Sequence, residues 1–145
     1  MATDKFKIRK DGEQYQILDP VRKKWVALTP EEKVRQWLIL ILNEACQVPH
    51  SLMAVEKGLQ VNGLQKRFDL MIYDRSGQAI LIAECKAPEV MLTEAVCQQI
   101  AIYNTAFKTR FLLLTNGEKL TLFEWNTQKE KYLAIPFTGQ NLIAP

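Results

Sequence analysis

From Ala79 to Ala83 the chain reads Ala-Ile-Leu-Ile-Ala, apolar at every position, and then turns at once to Glu84-Cys85-Lys86. Strand side chains alternate between faces, so a run that is apolar in both phases has to be covered on both sides. That requires a central strand in a layered α/β fold. Glu84 and Lys86, with one residue between them, leave the same face at the end of this strand. Upstream, Arg67 to Tyr73 reads as a second strand, joined to the first through a turn at Asp74-Arg75-Ser76-Gly77. Asp69 lies inside that strand, where hairpin pairing would bring its carboxylate beside the other two charges. Charges taken out of water must be paired with one another or with a metal. Each of the three residues alone reads more readily as a structural ion pair at a strand end. Together they make a small charged site of two carboxylates and an ammonium.

The rest of the chain supplies layers for that strand. Tyr15 to Leu18 and Lys24 to Leu28 form a small hairpin around Asp19-Pro20-Val21-Arg22, an N-terminal arm over residues 1–28 ahead of a main domain over 29–145. Thr29-Pro30-Glu31-Glu32 is a helix start, with Thr29 as N-cap, Pro30 at the first helical position and Glu32 completing a capping box. The helix is expected to reach about Ala45, burying Val34, Trp37, Leu38, Ile41, Leu42 and Ala45. A strand from Leu52 to Leu59 and a turn at Asn62-Gly63 precede the two central strands. Pro88 stops the strand, and a second helix capped by Thr93 is expected from Leu92 to about Phe107, with Val96, Ile100, Tyr103 and Phe107 on one side. Arg110 to Thr115, Lys119 to Trp125 and Tyr132 to Phe137 read as further strands. The order helix, three strands, helix, two strands is α/β with a mixed sheet.

Composition narrows the setting. A chain of 145 residues, 48% hydrophobic and 24% charged, has the proportions of one globular domain. The apolar run Trp37 to Leu42 is too short for a bilayer and the Lys-rich start is no signal peptide, so a cytoplasmic location without membrane contact is expected. Cys46, Cys85 and Cys97 show no CxxC spacing, which argues against zinc or a disulfide framework. His50, the only histidine, reads as a surface loop residue. Net charge is +3, which permits nucleic-acid binding without requiring it. The basic clusters Lys5-Lys7-Arg9-Lys10 and Arg22-Lys23-Lys24 suit a solvated face and a phosphate-contacting patch equally.

Asp69 followed by Glu84-Cys85-Lys86 at the end of an apolar strand resembles the PD-(D/E)xK nuclease motif, with Phe68 in the place of its proline. Val55-Glu-Lys-Gly, Arg67-Phe-Asp-Leu, Ala83-Glu-Cys-Lys-Ala-Pro88, Gln99-Ile-Ala-Ile-Tyr103 and Leu114-Thr-Asn-Gly117 extend the likeness. From about Thr29 to Trp125 the chain resembles the N-terminal nuclease domain of the motor (R) subunit of type I restriction enzymes. The resemblance implies a restriction-endonuclease-like core and a DNA endonuclease dependent on Mg²⁺ or Mn²⁺. It makes Asp69, Glu84 and Lys86 catalytic, with Asp69, Glu84 and the Cys85 backbone carbonyl as metal ligands, all oxygen donors that suit a hard cation. Gln99 and Tyr103 would help place nucleic acid or support the site, while spacing alone makes them equally ordinary helix surface. A third carboxylate acting on the metal through water would be Glu32, whose competing role is the capping box, or Glu56. DNA is the implied partner, along with restriction-system subunits that supply motor and specificity, and a homodimer stays open.

Two other classes compete. The nuclease fold can serve as a catalytically silent module that binds nucleic acid or a protein, against which the intact Asp69, Glu84 and Lys86 argue. A nucleotide-binding α/β protein would need a phosphate loop, and neither G-x-G-x-x-G nor G-x-x-x-x-G-K-[ST] is present. The same absence means that these residues carry no ATP motor.

Overall fold

A computed structural model describes residues 5–139. The outer ends of the expected 1–28 arm and 29–145 domain fall outside these. Among the described residues the N-terminal part forms three strands, β1 (Ile8–Asp11), β2 (Gln14–Asp19) and β3 (Lys24–Ala27), in an antiparallel sheet. The expected hairpin is β2–β3, and β1 adds a third strand whose exposed, mostly polar residues show no alternating pattern. Helix α1 (Pro30–Glu44) follows, then a single 3₁₀ turn (His50–Leu52). The main sheet runs β4 (Met53–Val61), β5 (Leu64–Tyr73), β6 (Ala79–Cys85), helix α2 (Glu94–Tyr103), β7 (Phe111–Thr115), β8 (Leu120–Asn126) and β9 (Lys131–Ile135).

Its strand order follows the chain, β4-β5-β6-β7-β8-β9, and every pair is antiparallel except β6–β7, which α2 bridges in parallel. The sheet is therefore mixed, and β6 lies at its centre as the doubly apolar run requires. One core lies on the α1 side and joins Val34, Leu38, Ile39 and Leu42 to Leu81 and Ala83 of β6. The other lies on the α2 side and joins Cys97 and Ala101 to Ile82. Alternation along β6 thus feeds both cores. No described helix is long and apolar enough to cross a membrane, and all three cysteines are free and buried.

Several local expectations change. Thr29 Oγ1 accepts from Glu32 N at 3.0 Å, as an N-cap should. The reciprocal half of the capping box is missing, because Thr29 N donates to Ala27 and the Glu32 carboxylate turns to Arg22 and Gln36. On α1 the buried stripe includes Arg35 and Ile39, leaving Trp37 and Ile41 half-buried and Ala45 exposed. Helix α2 stops at Tyr103, not near Phe107. Asn104 caps it, folding its amide back to Ile100 O at 2.9 Å, and a separate turn then buries Phe107 edge-on against Phe68. Tyr103, expected on the packing side, is 72% exposed, since the buried stripe runs through Cys97, Ala101 and Asn104.

Candidate active site

Strands β5 and β6 pair from Tyr73↔Ala79 to Leu70↔Ala83, so Asp69 and Glu84 come next in line where the pairing stops. Side-chain phase changes at this point. Phe68 packs in the α2-side core, Leu70 in the α1-side core and Met71 on the α2 side again, so strict alternation breaks between Phe68 and Leu70. Across from Asp69, Glu56 of β4 holds a left-handed backbone with φ of 55°, a conformation that costs a non-glycine residue about 1–2 kcal/mol. This irregularity sends Asp69 toward α1. Its Oδ2 accepts from Cys85 N at 2.7 Å and its Oδ1 lies 3.5 Å from Arg35 Nη2.

Glu84 turns the other way. Its Oε1 is bonded by Lys66 Nζ from β5, with Asn104 Nδ2 at 3.4 Å, and Lys66 also donates to Asn104 Oδ1 at 3.0 Å. The two carboxylates are thus neighbours at the strand ends, one held from the α1 side and one from the α2 side. They still feel one another. Burial pushes the Asp69 carboxyl above its ordinary value and the Glu84 charge adds to that, while the Cys85 N–H, Arg35 and Lys86 pull it back. Lys86 follows the last residue of β6, half-buried, its N–H donating to Thr115 O at 2.8 Å. Its charge therefore acts on Asp69, whereas Glu84 takes its ammonium partner from Lys66.

Cys85 belongs to the α1-side core, on the face opposite Glu84, and burial raises its thiol pKa far above the ordinary value. It stays a neutral thiol, leaving its main-chain carbonyl as the donor it could offer a hard cation. Glu32 accepts from Arg22 Nη2 at 2.7 Å and from Gln36 Nε2 at 3.1 Å. Arg35, 6% exposed, sits among Glu32, Glu56 and Asp69 at 3.6, 3.6 and 3.5 Å, and its Nε and Nη1 make no hydrogen bond. At those separations charge, not hydrogen bonding, holds it. Gln99 and Tyr103 both lie exposed on α2.

Pattern reading had not singled out Arg35, Lys66 or Asn104. Arg35 carried a signal, since it precedes Ile39 and Leu42 by four and seven residues and so places a charge within an apolar helical stripe. Lys66 and Asn104 carried none. Among the described residues no group of three or more His, Cys, Asp or Glu side chains is arranged to hold a metal ion.

The sequence matches the family described as type I restriction enzyme R protein N terminus over residues 30–137, which is most of its length. The chain belongs to that family. No curated protein matches it in sequence. Among solved structures it is similar to a candidate nuclease belonging to DUF820 from Anabaena variabilis, at 10% identity over 93% of each chain and a TM-score of 0.47. For this type I R-protein N-terminal chain, the Asp69 and Glu84-Cys85-Lys86 elements stand together at one end of the sheet, and a nuclease-like role follows from the family.

Proposed function

We propose that the chain is a divalent-metal-dependent endonuclease that hydrolyses DNA phosphodiester bonds at the ends of β5 and β6. The observation that carries this reading is the pair Asp69 and Glu84 at adjoining strand ends, each with one oxygen free of hydrogen bonds among the described residues. Asp69 Oδ2 and Glu84 Oε1 are taken by protein donors, whereas Asp69 Oδ1 and Glu84 Oε2 accept none. By donor chemistry, these two carboxylate oxygens and the Cys85 carbonyl would be the groups to hold Mg²⁺ or Mn²⁺, with water completing the shell. When bound, the cation supplies the charge that activates water and steadies the departing oxygen. Arg35 fixes the rotamer of Asp69, and Lys66 with Asn104 fixes that of Glu84. Lys86 holds the attacking water. Glu32 acts through Arg35, with Glu56 on the other side of the same guanidinium. Gln99 and Tyr103, exposed on α2, are available to the nucleic acid.

A second reading has its own support. Each carboxylate already has a basic neighbour, and no three-ligand cluster is formed among the described residues, which suits a catalytically silent module that binds nucleic acid or a restriction-system subunit. One experiment separates the two. Linear, circular and single-stranded DNA are incubated with Mg²⁺ and Mn²⁺, with Lys86→Ala alongside, and Mn²⁺ binding to Asp69→Asn and Glu84→Gln is followed by calorimetry. We expect cleavage by the wild type, none by a folded Lys86→Ala, and weakened Mn²⁺ binding in both amide variants. Unchanged cleavage in Lys86→Ala, or unchanged Mn²⁺ affinity in both others, removes this assignment.

A further inference from the structure

Strand β4 pairs with β5 from Met53↔Ile72 to Val61↔Leu64, with Glu56 and Asp69 left out of the ladder, but β6 leaves β5 after Leu70↔Ala83. Residues 57–61 and 64–68 therefore continue past the sheet as a two-stranded ribbon. From Phe68 to the tip it extends roughly 14 Å at about 3.4 Å per residue. Asn62 and Gly63 close it with φ of 51° and 82°, the left-handed pair a tight hairpin needs.

The two faces of this ribbon differ. Leu59, Val61 and Phe68 belong to the α2-side core, and Lys66 turns inward to Glu84 on the same side. The opposite face presents Gln60, Gln65 and Arg67, all exposed, with Gln60 directly across from Gln65 and Gly58 across from Arg67. No described side chain engages these three. From Lys57 to Arg67 the sequence contains three basic residues and no acidic one. The N-terminal basic cluster is in a different state. Arg9 lies over Trp25 at 4.3 Å and bonds Gln16, and Arg22 is spent on Asp19 and Glu32.

Because Arg67 is two residues before Asp69, the free face runs directly into the charged site. A major groove about 12 Å wide admits a two-stranded β-ribbon, and glutamine and arginine are the side chains that make paired hydrogen bonds to adenine and guanine edges. We propose that the β4–β5 ribbon is a duplex-DNA-binding arm, with its Gln60, Gln65 and Arg67 face laid in a groove beside the Asp69 end of the sheet. The proposal rests on the reading that DNA is the substrate.

The test is fluorescence anisotropy of a labelled duplex, with Ca²⁺ replacing Mg²⁺ so that binding is read apart from cutting. The triple variant Gln60→Ala/Gln65→Ala/Arg67→Ala is compared with wild type and with Lys24→Ala, which also removes one positive charge but lies on the N-terminal sheet. The ribbon variant should lose roughly tenfold or more in affinity and about one unit of the salt slope. Lys24→Ala should remain within about twofold of wild type, since its charge lies off the contact. Melting temperature and Mn²⁺ affinity should be unchanged in both, and Arg67→Gln alone should still lower affinity if the triple variant melts early. Equal affinity in wild type and ribbon variants, or a loss no larger than that of Lys24→Ala, overturns the ribbon while leaving the nuclease reading intact. Wild-type protein that binds no duplex overturns the ribbon, and the nuclease reading with it when no form of DNA is cut; duplex binding that depends on the ribbon without any cleavage keeps the ribbon and removes only the catalysis.

Discussion

Lys66 and Lys86 divide a role that adjacent residues in the sequence would have given to one. Glu84 bonds Lys66, and Lys86 acts on Asp69. A lysine bound to one of the two carboxylates competes with a cation for it. Lys66→Met should therefore tighten Mn²⁺ binding severalfold in calorimetry and lower stability in a urea melt. The cost should stay near 1 kcal/mol, because Lys66 is one-third exposed and water screens the pair. Equal Mn²⁺ affinity with and without Lys66 would show that bond and metal do not compete. Arg35 is the counterpart for Asp69, but it is buried among three carboxylates from three elements, so its removal acts first on folding.

At the level of elements, local chemistry decided most boundaries. The β5–β6 turn is an example, since Asp74 Oδ1 accepts from Ser76 N, Ser76 Oγ and Gln78 N at 2.9, 2.7 and 2.9 Å. These bonds, led by the Ser76 hydroxyl, hold the Asp74 carboxyl below its ordinary 3.8. A depressed folded-state pKa stabilises above the unfolded value and stops doing so as pH falls through the folded one. Asp74→Ala should thus melt lower than wild type at neutral pH, and the gap should close as the medium is acidified below 3.8. A gap independent of pH would mean that the ionised carboxylate contributes nothing to the turn. Strand and helix ends are legible to within a residue or two at Thr29 and Pro88, whereas β5 begins at Leu64, directly after the Asn62-Gly63 turn and three residues before the expected Arg67. Helix α2 ends before its apolar pattern does because its stop signal, Asn104, is a site residue that bonds Lys66 and Glu84 from other strands.

Across the whole molecule, one chain of ion pairs joins the N-terminal sheet to the site: Asp19 to Arg22, Arg22 to Glu32, Glu32 to Arg35 and Arg35 to Asp69. Asp19 is fully buried at the β2–β3 turn and Glu32 nearly so. Glu32→Gln keeps the shape and removes the charge from the middle of this chain. A charged hydrogen bond contributes about 1.5–3 kcal/mol, so the variant should lose stability on that scale in chemical denaturation. Its Mn²⁺ affinity should fall far less than that of Asp69→Asn. Unchanged stability with deeply reduced Mn²⁺ binding would instead make Glu32 a carboxylate of the metal site.

The sequence alone determined the layered α/β form, the central position of β6 and the assembly of Asp69, Glu84 and Lys86 at one end of the sheet. These follow from periods of two and 3.6 residues and from turn residues, all of which act between near neighbours. Only the tertiary structure decided that Asp69 answers to Arg35 and Glu84 to Lys66, and that the β4–β5 ribbon leaves the sheet with a free polar face. Partner choice among charges depends on which elements pack together and on the break in alternation at Glu56 and Asp69. Neither is written in the spacing of residues along a strand, because Coulomb attraction acts through space between groups that folding alone brings close.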